Sequence, residues 1–183
     1  MLKLPLKQIT SYLSISCMLL LIFSCGSNTN SNKDNLVFRY NEHANIRSLD
    51  PAFSRTLQDT WITNQLFNGL VEMDSELNIK PCIAKSWKIS EDALTYSFTV
   101  RKDVFFHKHP LFGKDSTRTV VSSDFKYSLE RLRDPLVASP GSWVLKKVES
   151  FKAVNDTIFE IKLKQPFPAF IGMLTMKYCS VVP

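Results

Sequence analysis

From residue 94 to residue 100 apolar and polar side chains alternate without a break: Leu94, Tyr96, Phe98 and Val100 take one face, and Thr95, Ser97 and Thr99 the other. A period of two fits a half-buried β-strand, because successive strand residues point to opposite sides of a sheet. Ser90, Glu91, Asp92 and Ala93 just before it have the polarity and length of a tight turn. The segment around Ser86, Trp87, Lys88 and Ile89 is therefore predicted to be the antiparallel partner. A second hairpin is predicted over residues 148–163, turning at Asn155-Asp156, with Phe159, Ile161 and Leu163 alternating with Glu160 and Lys162. A further apolar run, Val104 to Phe106, follows the first hairpin.

Helical spacing occurs in two places. Leu57, Trp61, Ile62 and Leu66 predict a helix over residues 56–68 with that face inward and Gly69 at its C′ position. Ser122 or Ser123 is expected to cap a second helix, with Asp124 in its first turn, Phe125, Leu129 and Leu132 facing inward, and Pro135 ending it. Residues 36–40, 70–73 and 178–182 read as short strands and residues 169–176 as a short helix. Residues 108–119, with Pro110 and Gly113, and residues 138–145, with Trp143, read as loops.

The first 24 residues read as a leader. Lys3 and Lys7 form a basic start, residues 13–23 an apolar stretch too short to span a membrane, and Ile22-Phe23-Ser24-Cys25 a lipoprotein cleavage box. Cys25 would then be the lipidated first residue of the mature chain, its two or more acyl chains giving stable anchoring. Residues 25–35, rich in Ser and Asn with nothing apolar to pack, read as a tether. Loss of Lys3 and Lys7 takes two from a formal charge of +6, and no block of like charges remains, so no nucleic-acid partner is implied. Cys82 and Cys179 are two cysteines in a domain of this size, too few for a disulfide framework, and are expected to be buried thiols; an exported protein also permits their pairing.

The order of several short stretches resembles the extracellular solute-binding proteins of family 5, the peptide- and nickel-binding components of ABC importers. These are Ser48-Leu49-Asp50-Pro51, Phe67-Asn68-Gly69-Leu70, Pro81 through Asp92, Tyr96 through His107, and Asp124-Phe125-Lys126-Tyr127-Ser128. The resemblance covers roughly residues 36–183. It implies an α/β fold of mixed α+β character: an incomplete lobe of a class II periplasmic-binding-protein-like architecture, with a mixed sheet and flanking helices. Residues 36–183 would be the N-terminal part of lobe I. Since the family needs two lobes, the chain is expected to be a fragment of a longer protein.

The same resemblance implies the function. The protein would be exported, lipid-anchored to a bacterial membrane facing the periplasm or cell exterior, would bind an oligopeptide, and would deliver it to an ABC permease and ATPase complex. Carried onto this sequence, the ligand-binding positions are Asn45, Ile46 and Arg47, where extended main chain can pair with a peptide, and Ser142 and Trp143, where a loop aromatic can line the cleft. No cofactor, metal site or catalytic residue is expected, because no nucleophile elbow, phosphate loop or zinc motif occurs. Competing readings are a nickel-chelate, haem or oligosaccharide binder of the same family, and a surface lipoprotein without a transport role. His107 and His109, two apart, offer two imidazoles to a metal but stand more simply as a pair at a strand end. Trp61 and Trp87 are expected to be core residues rather than stacking platforms.

Overall fold

A computed structural model describes residues 39–183. The leader, Cys25 and the tether lie outside the described residues. Of the expected first strand only Arg39 and Tyr40 are described, and they lie in no regular element.

The predicted hairpins form and join. β3 (Ala84–Ile89) pairs with β4 (Thr95–Val100), β4 pairs with β6 (Ile158–Leu163), and β6 with β5 (Val148–Asn155), giving a four-stranded sheet in the order β3-β4-β6-β5. A separate two-stranded ribbon joins β1 (Val71–Met73) to β2 (Ile79–Pro81). The α/β class stands, but every strand pairing among the described residues is antiparallel, so the sheet here is not mixed. Five residues join β3 to β4 and two join β5 to β6, and neither connection contains the helical crossover that parallel neighbours need.

The alternation in the sequence sets the face that is covered. Tyr96 and Phe98 on β4 lie opposite Ile161 and Phe159 on β6, and these four are buried together with Val100 and Leu163 of the same two strands. α2 (Ser122–Arg133) lies over this face with Phe125, Leu129 and Leu132 inward, and the Phe125 and Phe159 rings are 6.0 Å apart. Tyr96 meets Phe170 of the short helix α3 (Phe170–Met173) edge to face at 5.2 Å. Trp87 is half-buried and packs against the cluster, so it supports the core from its margin.

Several expectations are corrected. α1 (Leu57–Leu66) forms, but with its apolar face outward: Leu57 and Trp61 are 58% and 45% exposed, whereas Asp59 and Thr63 are buried. The reason is polar satisfaction. Thr63 donates its hydroxyl proton to Asp59 O at 2.8 Å and touches Ser54 Oγ, while the Asp59 carboxylate and Thr56 cap the helix start between them, so the polar face has partners waiting in the preceding turn. Trp61 is thus not a core residue. Gly69 is not a left-handed C′ residue, because the helix ends two residues earlier with Phe67 extended; the absence of a side chain matters there instead, since a Cβ would sit 3.4 Å from both Cys179 O and Leu174 O. The cap of α2 is Val121, one residue before Ser122. Ser122 is already helical and donates its hydroxyl to Asn155 O, and Asp124 accepts from Val121 N at 2.9 Å. Residues 178–182 make no strand; the chain turns through a 3-10 segment, Lys177–Cys179, and Val181 N bonds to Asn68 O.

Cys82 is half-buried and Cys179 buried, and both are free thiols. Burial raises both thiols, Cys179 to about 12, which keeps it protonated and poorly nucleophilic.

Candidate functional site

The turn at residues 50–54 is where the parts of the candidate site meet. Pro51 fixes the first φ of a 3-10 turn, Pro51–Phe53, and Asp50 caps it by accepting from Ala52 N at 3.0 Å. The same carboxylate takes both terminal nitrogens of Arg131 on α2, Nη1 at 2.8 Å to Oδ1 and Nη2 to Oδ2. The Arg131 guanidinium holds the Asp50 carboxyl below its usual range against the opposing effect of burial. At the other end of the turn, Ser54 Oγ lies 3.0 Å from Thr60 Oγ1 and 3.2 Å from Thr63 Oγ1, which ties the turn to α1. The turn at residues 50–54 therefore links two helices.

The expected ligand residues flank this turn. Asn45, Ile46 and Arg47 precede it and are exposed. Arg47 donates its main-chain N–H to Asp59 Oδ1 at 3.1 Å, the leading cause of the lowered Asp59 carboxyl. That N–H is thus committed to the chain, whereas the main-chain groups of Asn45 and Ile46 make no hydrogen bond among the described residues. Ser142 and Trp143 begin a 3-10 turn, Ser142–Leu145, whose Val144 and Leu145 are buried while Trp143 is 45% exposed.

The two groups come from segments almost a hundred residues apart, and the segments are fastened together. Ser139 donates its hydroxyl to Ala52 O at 2.6 Å. The structure does not bring the Asn45–Arg47 and Ser142–Trp143 side chains into any bonded contact with each other.

A cleft of about 960 Å³ opens beside this turn, with Leu49, Phe67, Phe105, Phe112, Tyr127 and Val181 among its walls and the Asp50–Arg131 pair at one side. None of the five expected ligand residues lines it. His107 and His109 do, but each ring has a partner in the chain. His107 Nε2 donates to Leu66 O at 3.1 Å, satisfying a carbonyl at the end of α1, and His109 Nδ1 accepts from Leu111 N at 3.2 Å. The loop carrying them is braced at its base by Arg118, which grips Asp124 with two bonds of 2.8 Å and lies 4.7 Å above the Phe106 ring. Sequence reading missed the cleft and the Asp50–Arg131 pair. Asp50 was visible as part of a motif, but nothing local marks Arg131 as its partner.

Comparison with known proteins places this arrangement. The model of the bacterial extracellular solute-binding proteins, family 5 Middle, matches residues 78–183. The glutathione-binding protein GsiB of Escherichia coli O1:K1 / APEC is 30% identical over 131 residues, which are 72% of this chain and 24% of that protein. The chain thus spans about a quarter of the length of the curated relatives it matches. Among solved structures, DppA from Helicobacter pylori in complex with the peptide STSA is 27% identical with a TM-score of 0.65, over 74% of this chain and 28% of that one. NikZ from Campylobacter jejuni in complex with Ni(L-His) is 30% identical with a TM-score of 0.63, over 76% of this chain and 26% of that one. These relatives are binding proteins and not enzymes. With a family model matching more than half of its residues and the same fold in peptide-bound and nickel-bound relatives, the chain belongs to the bacterial extracellular solute-binding proteins of family 5.

Proposed function

We propose that this chain contributes the N-terminal part of the first lobe of a lipid-anchored solute-binding protein that captures an oligopeptide and hands it to an ABC permease driven by its ATPase. The observation that carries the peptide reading is the exposed strip at residues 45–47: the main chain of Asn45 and Ile46 is open to pair with an extended peptide, and Trp143 stands on a segment bonded to the adjoining turn. Main-chain pairing binds peptides while remaining indifferent to most side chains, and an exposed indole adds an apolar wall. The solved relative that holds the peptide STSA supports the same class of ligand.

The nickel-bound relative favours a second reading, a metal chelate. Mass spectrometry under native conditions, on protein purified from its own host, separates the two. Short peptides released on denaturation are the expected result; a nickel chelate, haem or an oligosaccharide in their place overturns the peptide assignment.

The anchor has its own test. Cys25→Ser removes the thiol to which diacylglycerol would be attached, so the variant is expected to leave the membrane fraction and lose incorporation of labelled fatty acid. Labelling that persists at the original level places the lipid elsewhere or nowhere near Cys25.

A further inference from the structure

The two strips assigned to the ligand are far apart in sequence, and the contact that joins their supporting turns runs through one hydroxyl. Ser139 is buried; its Oγ donates to Ala52 O at 2.6 Å and accepts from Gly141 N at 3.1 Å. Ala52 is the middle residue of the 3-10 turn whose ends are held by Arg131 and by the Thr60 and Thr63 hydroxyls. On the other side, Gly141 lies flat against the Tyr178 ring, where an added Cβ would come within 2.3 Å of Cγ and 2.5 Å of Cδ1. The segment leading to Trp143 is therefore pressed between an aromatic ring and a hydrogen bond that ends on the neighbouring turn.

We infer that Ser139 is a positioning residue that locks the Trp143 turn to the turn at residues 50–54, so that the strip at residues 45–47 and the Trp143 indole meet the ligand as one rigid wall. The chemistry suits the task. A serine hydroxyl donates and accepts at once, and here both functions are used, one on each segment. Loss of the hydroxyl leaves a buried carbonyl and a buried N–H without partners on opposite sides of the junction. The ligand role rests on the peptide-binding reading; the mechanical coupling does not.

Amide exchange followed residue by residue in the full chain tests the coupling without any ligand. In Ser139→Ala the amides of Gly141, Val144 and Lys146 on one side, and of Arg47, Ala52, Phe53 and Ser54 on the other, are expected to exchange faster together. The expected rise is at least about fivefold, the factor that the loss of one hydrogen bond gives. The β4 and β6 amides should be unchanged, and Ser139→Thr, which keeps the hydroxyl, should restore slow exchange on both sides. A rise confined to residues 139–146 overturns the inference. Should Ser139→Ala lose protection throughout β4 and β6, Gly141→Ala decides: displaced from the Tyr178 ring, it must speed exchange at Arg47 and Ala52 if the turns are coupled, and unchanged rates there refute the coupling. A nickel chelate found on the purified protein would overturn the peptide reading and leave this result intact.

Discussion

Phe98→Ala is expected to destabilise residues 42–183 by about 3–5 kcal/mol, the usual cost of emptying a fully enclosed aromatic site. Phe98 is 0% exposed, lies between Trp87 on β3 and Phe159 on β6, and belongs to the face against which α2 packs. The surrounding strands are tied on both sides by backbone pairing, so they cannot close in to fill the space, and the cavity term adds to the lost transfer energy. Against a typical domain stability of about 5–15 kcal/mol this is a large share, and at the low end of that range it leaves much of the population unfolded. Urea denaturation followed by circular dichroism gives the number directly. A loss below about 1 kcal/mol would mean that this face is not the one that holds the domain together.

Arg131→Met is expected to cost about 2 kcal/mol at neutral pH, because it strips Asp50 of two charge-assisted hydrogen bonds while keeping most of the side-chain volume. Both partners are about a quarter exposed, so the loss falls short of that for a fully enclosed ion pair. The pH dependence is specific to the pair. The native Asp50 carboxyl is held below its usual value of 3.8, chiefly by Arg131, so its stabilising contribution is complete above that value and declines as the pH falls through the lowered native one. The difference between the parent chain and Arg131→Met should therefore be largest near pH 7 and shrink below about pH 4. Equal losses at pH 7 and pH 3 would show that Arg131 acts through packing and not through Asp50.

The recurrence of a few residue patterns made most of the sheet and one helix legible in advance. Strict alternation on β4 and β6 announces which side chains are covered, because a strand with one wet face has no other way to divide them. Phe125, Leu129 and Leu132 do the same for α2. The family, too, is written in ordered short motifs, and the match over residues 78–183 agrees with them.

What the sequence could not convey is everything that depends on a distant partner. The helical spacing of Leu57, Trp61 and Leu66 reports an amphipathic helix, but which face turns inward was decided by Ser54, whose hydroxyl waits for Thr63, and by Asp59, whose carboxylate receives the Arg47 N–H. The Asp50–Arg131 pair spans 81 residues and the Ser139–Ala52 bond 87, separations over which periodicity carries no information. The final apolar run at residues 178–182 has strand composition yet turns through a 3-10 segment, with Cys179 and Val181 buried beside residues 68–70 instead of on a sheet edge. Local pattern determines which side chains seek cover. Only the tertiary structure decides what covers them, because burial and hydrogen bonding are satisfied by whichever groups the fold brings near, and those groups carry no mark of it in their own neighbourhood.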